Sequence, residues 1–451
     1  MSEPTDSGAF QWLRGLAIVW LVFLGAYGLG YMTHRAELWP FASLEATSEF
    51  IFGDGVEQTT LSERVLNDFG VRPSRHIVET QRVYEIPENY GTLDGLPLAE
   101  RRSPPLMFLS PEAPGGFRLI YGTFDFEDGL HGALLLDADG KVQQRWVVRQ
   151  DDAEWAERPD TNVYPHGIEI LRDGSIIVAW DGGTSISRYG YCGDLQWRTK
   201  GHFHHSVTLD GEDAVWAWGN PEGKFTQAEY MVKVSVEDGS VLASINLDHV
   251  WPANTAIDPF AIKQEDRADG SFWNFDRFHV NDVDPLPARF ADAYPQFETG
   301  DLLISLRSIN LVAVVDPDTM DVKWWRQGLV RRQHDPDWNE RGTITIFDNN
   351  MHRDYSRIYE INPVTYESTV VVPGEPYEFY TWHRGKHDVL PGGLSYLVTS
   401  TEQGRLFELD AEGEIVFDFI NRYQPGGKFL AVSEGRFLPL DYFEELPACE
   451  S

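Results

Sequence analysis

The chain is poor in two things that would have simplified its reading. It has only two cysteines in 451 residues, Cys192 and Cys449. They are far apart and neither sits in a metal-ligand spacing, so a disulfide framework is excluded. The pair reads as two unpaired thiols, with a single bridge as the alternative. Basic residues are also scarce, 37 against 71 acidic ones, for a formal charge of −34. Nothing in that balance offsets phosphate repulsion, which argues against a nucleic-acid partner. The acidic residues form no tail and read as a solvated surface. No Gly-rich phosphate loop, nucleophile elbow or dinucleotide fingerprint occurs, so no nucleotide cofactor is expected.

Long apolar runs are absent except at one place. From Gly15 to Thr33 no charged residue occurs. At about 1.5 Å per residue this stretch nearly spans a hydrocarbon core of about 30 Å. Trp12 and Trp20 toward one end, and Tyr27 and Tyr31 toward the other, fit interfacial anchors. The basic n-region is thin and no small-x-small cleavage site follows, which disfavours a removed signal peptide. The stretch reads as an uncleaved signal-anchor with the bulk of the chain exported. The expected layout is a tail (1–13), a transmembrane helix (14–33), a stalk (34–105) with a short helix at Leu61–Gly70, and one domain (106–451).

That domain is all strand and turn. Acidic, Gly-bearing hairpin turns recur, as in Leu136-Asp-Ala-Asp-Gly-Lys-Val, Val236-Glu-Asp-Gly-Ser-Val and Leu409-Asp-Ala-Glu-Gly-Glu-Ile. Aromatic residues close the strands after several of them: Trp146, Trp197, Trp324 and Phe417. Repeats of roughly 50 residues with these signals point to propeller blades. Six units give an all-β, six-bladed β-propeller. The first unit is expected to begin with Leu106-Met-Phe-Leu as its inner strand. About 30 extra residues, Asp248–Phe278, form an insertion expected to lie on one face and cover the channel mouth.

Five units open with a histidine: His166, His205, His279, His334 and His387. The innermost strand of each blade lines the central channel, so these imidazoles are expected to converge at one end of it. A lone histidine in a β-protein is usually structural; five at recurring positions argue for a binding or catalytic ring. Arg307, Arg353 and Arg357 add guanidinium forks suited to tetrahedral oxyanions, against the alternative of ordinary surface ion pairs. Asp282, Asp284, Asp335, Asp337 and Asp388 accompany the histidines. They would fix tautomers or accept backbone N–H bonds. Histidines alone could also hold Zn²⁺ or Cu²⁺. His202, His204 and His205 lie close in sequence, but no ligand spacing requires an ion and no metal ligand is assigned.

Phe278-His-Val-Asn-Asp, Asp301-Leu-Leu-Ile-Ser-Leu-Arg-Ser-Ile-Asn, Arg332-Gln-His-Asp-Pro-Asp and Gly342-Thr-Ile-Thr-Ile-Phe-Asp-Asn-Asn resemble the arylsulfotransferase family. So does the terminal Gly404-Arg-Leu-Phe-Glu-Leu. These are the aryl-sulfate sulfotransferases that use no nucleotide cofactor. The resemblance implies a six-bladed propeller and ping-pong transfer of a sulfuryl group from a phenolic sulfate ester to a phenol through a histidine. By motif, His279 and His334 fall on family active-site histidines and Arg353 on the sulfate-binding arginine. His166, His205, Arg307 and Arg357 are expected to contact substrate. The family's nucleophilic histidine lies in a last-blade stretch that here reads Thr399-Ser-Thr-Glu-Gln-Gly-Arg and has none. His387 is the substitute candidate, and His383 a weaker one. Two other readings stand beside this one: a non-catalytic binding or scaffold propeller, and a metal-dependent lyase or oxidase. An oligomer is compatible with all three.

Overall fold

The computed structural model describes residues 86–100, 102–149, 164–181, 185–221, 230–254, 278–351, 353, 355–424 and 428–449, with 77–79 and positions 20, 22 and 24. The chain divides into Met1–Val71 and Arg72–Ser451. In the first unit Trp20, Val22 and Leu24 are helical and exposed. The rest of the expected 14–33 span and the Leu61–Gly70 helix lie outside the described residues. Among those described, no helix is long and apolar enough to cross a membrane.

The second unit is an all-β, six-bladed propeller. Blade two runs from its inner strand outward as Tyr164–Ile170, Ile176–Asp181, Ser185–Tyr189 and Leu195–Lys200. Blade three is His202–Asp210 to Val241–Asn246, and blade four Val280–Pro285 to Val322–Gln327. Blade five is His334–Asn339 to Ser368–Val372. Blade six runs from Lys386–Val389 out to Ile415–Ile420. The acidic turns close the outer hairpins because their first carboxylate folds back on the backbone. Asp137 Oδ1 accepts the N–H groups of Asp139 and Lys141, and Asp410 Oδ1 those of Glu412 and Glu414.

Blade one corrects the sequence reading. Leu106–Leu109 is not its inner strand; it pairs with Ile415–Ile420 on the outside of blade six, and Gly91–Thr92 pairs beyond it. The inner strand of blade one is Val432–Pro439, which pairs with Gly116–Phe126. Each end of the domain thus completes the sheet that the other end began. The seam is pinned by Arg118, whose Nε donates to Glu408 Oε2 at 2.7 Å with both side chains buried.

An apolar cluster fills every seam between adjacent blades. Examples are Trp146, Ile168 and Trp180 between blades one and two, and Trp218, Val283 and Leu302 between three and four. Each fully buried aliphatic or aromatic side chain contributes about 1.5–3 kcal/mol. Indole N–H groups tie the seams laterally: Trp146 Nε1 donates to Gly190 O at 3.0 Å, and Trp197 Nε1 to Val236 O at 2.8 Å. The Asp248–Phe278 insertion begins in the helix Leu247–Ala253, with Leu247 and Val250 in the seam of blades three and four. Residues 255–277, expected over the channel mouth, lie outside the described residues.

The cysteines also correct the reading. Cys192, in a blade-two hairpin turn, is bonded to Cys449 with Cα atoms 5.4 Å apart. The bridge fastens the C-terminal segment, just after the closing strand, to blade two. Its partners are 257 residues apart in sequence, so local spacing carried no trace of it.

Candidate active site at the channel mouth

Five inner strands carry a register shift near their start. The irregularity falls between Pro165 and Ile168, His204 and Val207, Val280 and Asp282, His334 and Pro336, and Val432 and Glu434. A bulge at that point re-aims the side chains beside it. His205 and His279 sit there with left-handed φ values of 66° and 48°. Such backbone is costly for a non-glycine residue and clusters at functional sites.

The result is a group of imidazoles from neighbouring blades. Ring centroids are 4.3 Å apart for His166 and His205, and 5.3 Å for His205 and His279. His204 lies against His205 at 4.7 Å. Arg307 Nη1 lies 2.6 Å from His279 Nε2, and because a guanidinium only donates, that nitrogen accepts. Arg384 stacks over Tyr164, 3.4 Å from the ring centroid. His166 and His205 are held well below the ordinary histidine range, first by burial and then by neighbouring cationic and imidazole groups. They are neutral at neutral pH.

His334 is nearby but fully committed. Asn349 Nδ2 donates to Thr381 O and Arg384 O, so its Oδ1 must accept from His334 Nδ1 at 2.6 Å. His334 Nε2 in turn accepts the Arg384 N–H at 3.1 Å. Both ring nitrogens are occupied, and burial beside Arg307 keeps the ring neutral.

His383 completes the mouth. Its Nδ1 lies 2.9 Å from Glu402 Oε1, while Glu402 Oε2 accepts the Trp382 N–H at 2.9 Å. His383 is partly exposed, and its electrostatic neighbours include Arg384 and Arg307. Burial lowers its pKa, Glu402 opposes that shift, and the two arginines reinforce it.

Three expected site residues stand elsewhere. His387 does not join the imidazoles. Neighbouring strand residues face opposite ways, and blade six has no bulge between Lys386 and Val389. Lys386 therefore takes the axis, and His387 turns to blade five, where its Nε2 is 2.8 Å from Thr345 Oγ1. Arg353 and Arg357 line a separate cleft of about 740 Å³ between blades four and five, with Arg331, Asn310 and Asn350. Arg357 there pairs with Asp348 at 2.9 Å. Of the expected arginines, only Arg307 reaches the histidines.

Below the mouth the channel is filled by charge. The Lys386 ammonium lies 2.9 Å from Asp335, 3.5 Å from Asp282 and 3.7 Å from Glu434, so four blades meet at one group. Arg436 Nη2 pairs with Glu434 at 2.7 Å and faces Glu169, Asp388 and Asp337. Burial raises Asp284 to about 7, with Asp335 adding to the shift and Arg436 opposing it. The residues missed by the sequence reading, Lys386, Arg384, Glu402, Glu434 and Arg436, are charged groups in an unusually acidic chain. Arg384 and Lys386 stand beside a blade start and Glu402 lies in the stretch matched to the family's nucleophile segment, whereas Glu434 and Arg436 carried no local signal.

A model of the arylsulfotransferase (ASST) family matches residues 167–422, more than half of the chain. The chain belongs to this family. The matched residues run from blade two through blade six and contain every imidazole of the mouth except His166. Among solved structures, a Bacteroides caccae protein of unknown function is similar at 12% identity and a TM-score of 0.47, over 72% of this chain and 99% of that one. Virginiamycin B lyase from Staphylococcus aureus is similar at 10% identity and a TM-score of 0.32, over 56% and 69%. No curated protein sequence matches the chain. The stretch that resembles the family's nucleophile segment holds Glu402 here, whose Oε1 lies 2.9 Å from His383 Nδ1.

Proposed function

We propose that the channel mouth is a sulfuryl-transfer site in which His383 is the acceptor histidine. The observation that carries this reading is the 2.9 Å approach of Glu402 to His383 Nδ1. A carboxylate at one ring nitrogen orients the imidazole and leaves Nε2 as the nucleophilic lone pair. Arg307 and Arg384 supply positive charge for the sulfuryl oxygens, whose charge grows in the transition state. Nε2 of His383 attacks sulfur, the sulfur–oxygen bond to the aryl group breaks, and the phenolate leaves and takes up a proton. In the second half, the oxygen of a phenolic acceptor attacks the same sulfur and the nitrogen–sulfur bond breaks. The acceptor's proton passes to the neutral His205 imidazole. His334 acts as a locked support for the Arg384 backbone.

The test is incubation with a chromogenic aryl sulfate, with and without a phenol, followed by peptide mapping for sulfohistidine. The expected adduct lies on His383 and is discharged by the phenol. Unchanged turnover in His383→Ala would overturn the assignment.

The same reading has the propeller outside the cytoplasm behind an N-terminal anchor at 14–33. The expected stalk is shortened to 34–71, because Ile77–Glu79 and Gly91–Thr92 pair into sheets of the propeller unit. A disulfide fastening the closure supports an oxidising compartment. Membrane fractionation with protease protection tests it; a chain recovered wholly in the cytosolic fraction would overturn it.

A further inference from the structure

We propose that Asp335, Asp337 and His387 form a site for a divalent transition-metal cation, of the Mn²⁺ or Zn²⁺ class, that pins blade five to blade six. One ligand atom from each of the three side chains lies within 4.8 Å of the others. The decisive feature is the His387 ring. It is buried, and its Nε2 is engaged by Thr345 Oγ1 at 2.8 Å. Its Nδ1 is also buried and has no hydrogen-bond partner. That nitrogen lies 3.2 Å from Asp335 Oδ2, outside hydrogen-bond geometry. Asp335 Oδ2 also accepts the His387 backbone N–H, and Asp337 Oδ2 lies 3.4 Å from Nε2, so both carboxylates crowd the ring, and a cation beside Nδ1 would give it and Asp335 a shared partner. A histidine held at one nitrogen by a neighbouring oxygen is the usual arrangement of a metal-ligating imidazole.

Charge points the same way. Lys386 engages the other Asp335 oxygen, Oδ1, at 2.9 Å. The only other buried cation that the described channel carboxyls face is Arg436, and it is paired with Glu434. Asp337 still faces Asp335, Asp284 and Asp282 across the channel, and its Oδ2 has no hydrogen-bond partner. Asp282, Asp284, Asp335 and Asp337 crowd together with Lys386 and Arg436 as their buried cationic partners, a crowding that a bound dication relieves. Two carboxylates and one imidazole suit Mn²⁺ or Zn²⁺ better than a purely oxygen-seeking ion. The site is independent of the transfer chemistry proposed above.

The experiment uses full-length protein stripped with EDTA and then titrated with MnCl₂ or ZnCl₂ alone. Bound metal is counted by elemental analysis after gel filtration, and the unfolding midpoint is followed in parallel. The expected result is one equivalent bound with a rise in midpoint. Asp337→Asn should weaken affinity at least tenfold, and Thr345→Val, which keeps every ligand, by about tenfold or more. Thr345→Val also serves if Asp337→Asn does not fold. Wild type that retains no equivalent and shows no metal-dependent midpoint overturns the site. So does undiminished binding in the variants, which would put the ion at the histidine mouth.

Discussion

Glu402 and His383 approach to 2.9 Å from different loops of blade six, one on either side of its two innermost strands. A three-residue 3₁₀ turn, Thr401–Gln403, places the carboxylate, and Gln403 ties the turn to the other loop by accepting the Tyr380 N–H. Replacing Glu402 with Gln keeps the shape and removes the charge. Transfer should fall by about 10² in kcat, within the range for a positioned proton or nucleophile partner. His383→Ala should abolish the covalent adduct altogether. Steady-state rates and adduct mass read the two effects separately.

The two arginine locations separate by mutation. Arg307 touches His279, whereas Arg353 lines the cleft between blades four and five. Arg307→Gln is expected to lower kcat/KM by about 10² to 10³, as for loss of one transition-state donor. Arg353→Gln should change it by less than about tenfold. A larger loss in Arg353→Gln than in Arg307→Gln would return the sulfate site to the position that the family resemblance implied.

Acid should destabilise the mouth. His166 and His205 have folded pKa values well below 6.5, so the unfolded chain binds their protons first as pH falls. Their contribution is complete above about 6.5 and is lost as pH drops from there toward the folded values. His166→Gln should therefore flatten the fall in stability between about pH 7.5 and 5 relative to wild type. Urea midpoints at each pH provide the measurement, and the difference between the two proteins cancels the other titrating groups.

The architecture was legible because it is local. Turns such as Asp137–Gly140 and Asp410–Gly413 announce their own geometry, and each blade folds between them. What failed was non-local. Val432–Pro439 pairs with a strand more than 300 residues earlier, so an apolar segment near the right place, Leu106–Leu109, was given its seat. The histidines were found by their recurrence, but which way each points depends on bulges. His205 and His279 are turned to the mouth by irregular backbone, and His387, on a regular strand, is not. Glu402 lay in the stretch matched to the family's nucleophile segment, but its approach to His383 showed only in the fold, through the 3₁₀ turn.

The closure seam supplies the last prediction. Arg118 on blade one and Glu408 on blade six form an ion pair that is almost wholly out of solvent. The guanidinium also lies over the rings of Phe417 and Phe437, at 5.0 and 5.5 Å. Glu408→Ala would leave that guanidinium buried without its counter-ion, which costs about 3–5 kcal/mol. Cys449→Ser acts on the same closure through the unfolded state, and the expected cost is about 2–4 kcal/mol. The two changes work by different physics, one on native desolvation and one on chain entropy, at separate places on blade one's circuit. Their effects on the denaturant midpoint should add within about 0.5 kcal/mol. A double variant much less destabilised than the sum would mean that the closing strand has already detached when either tie is lost.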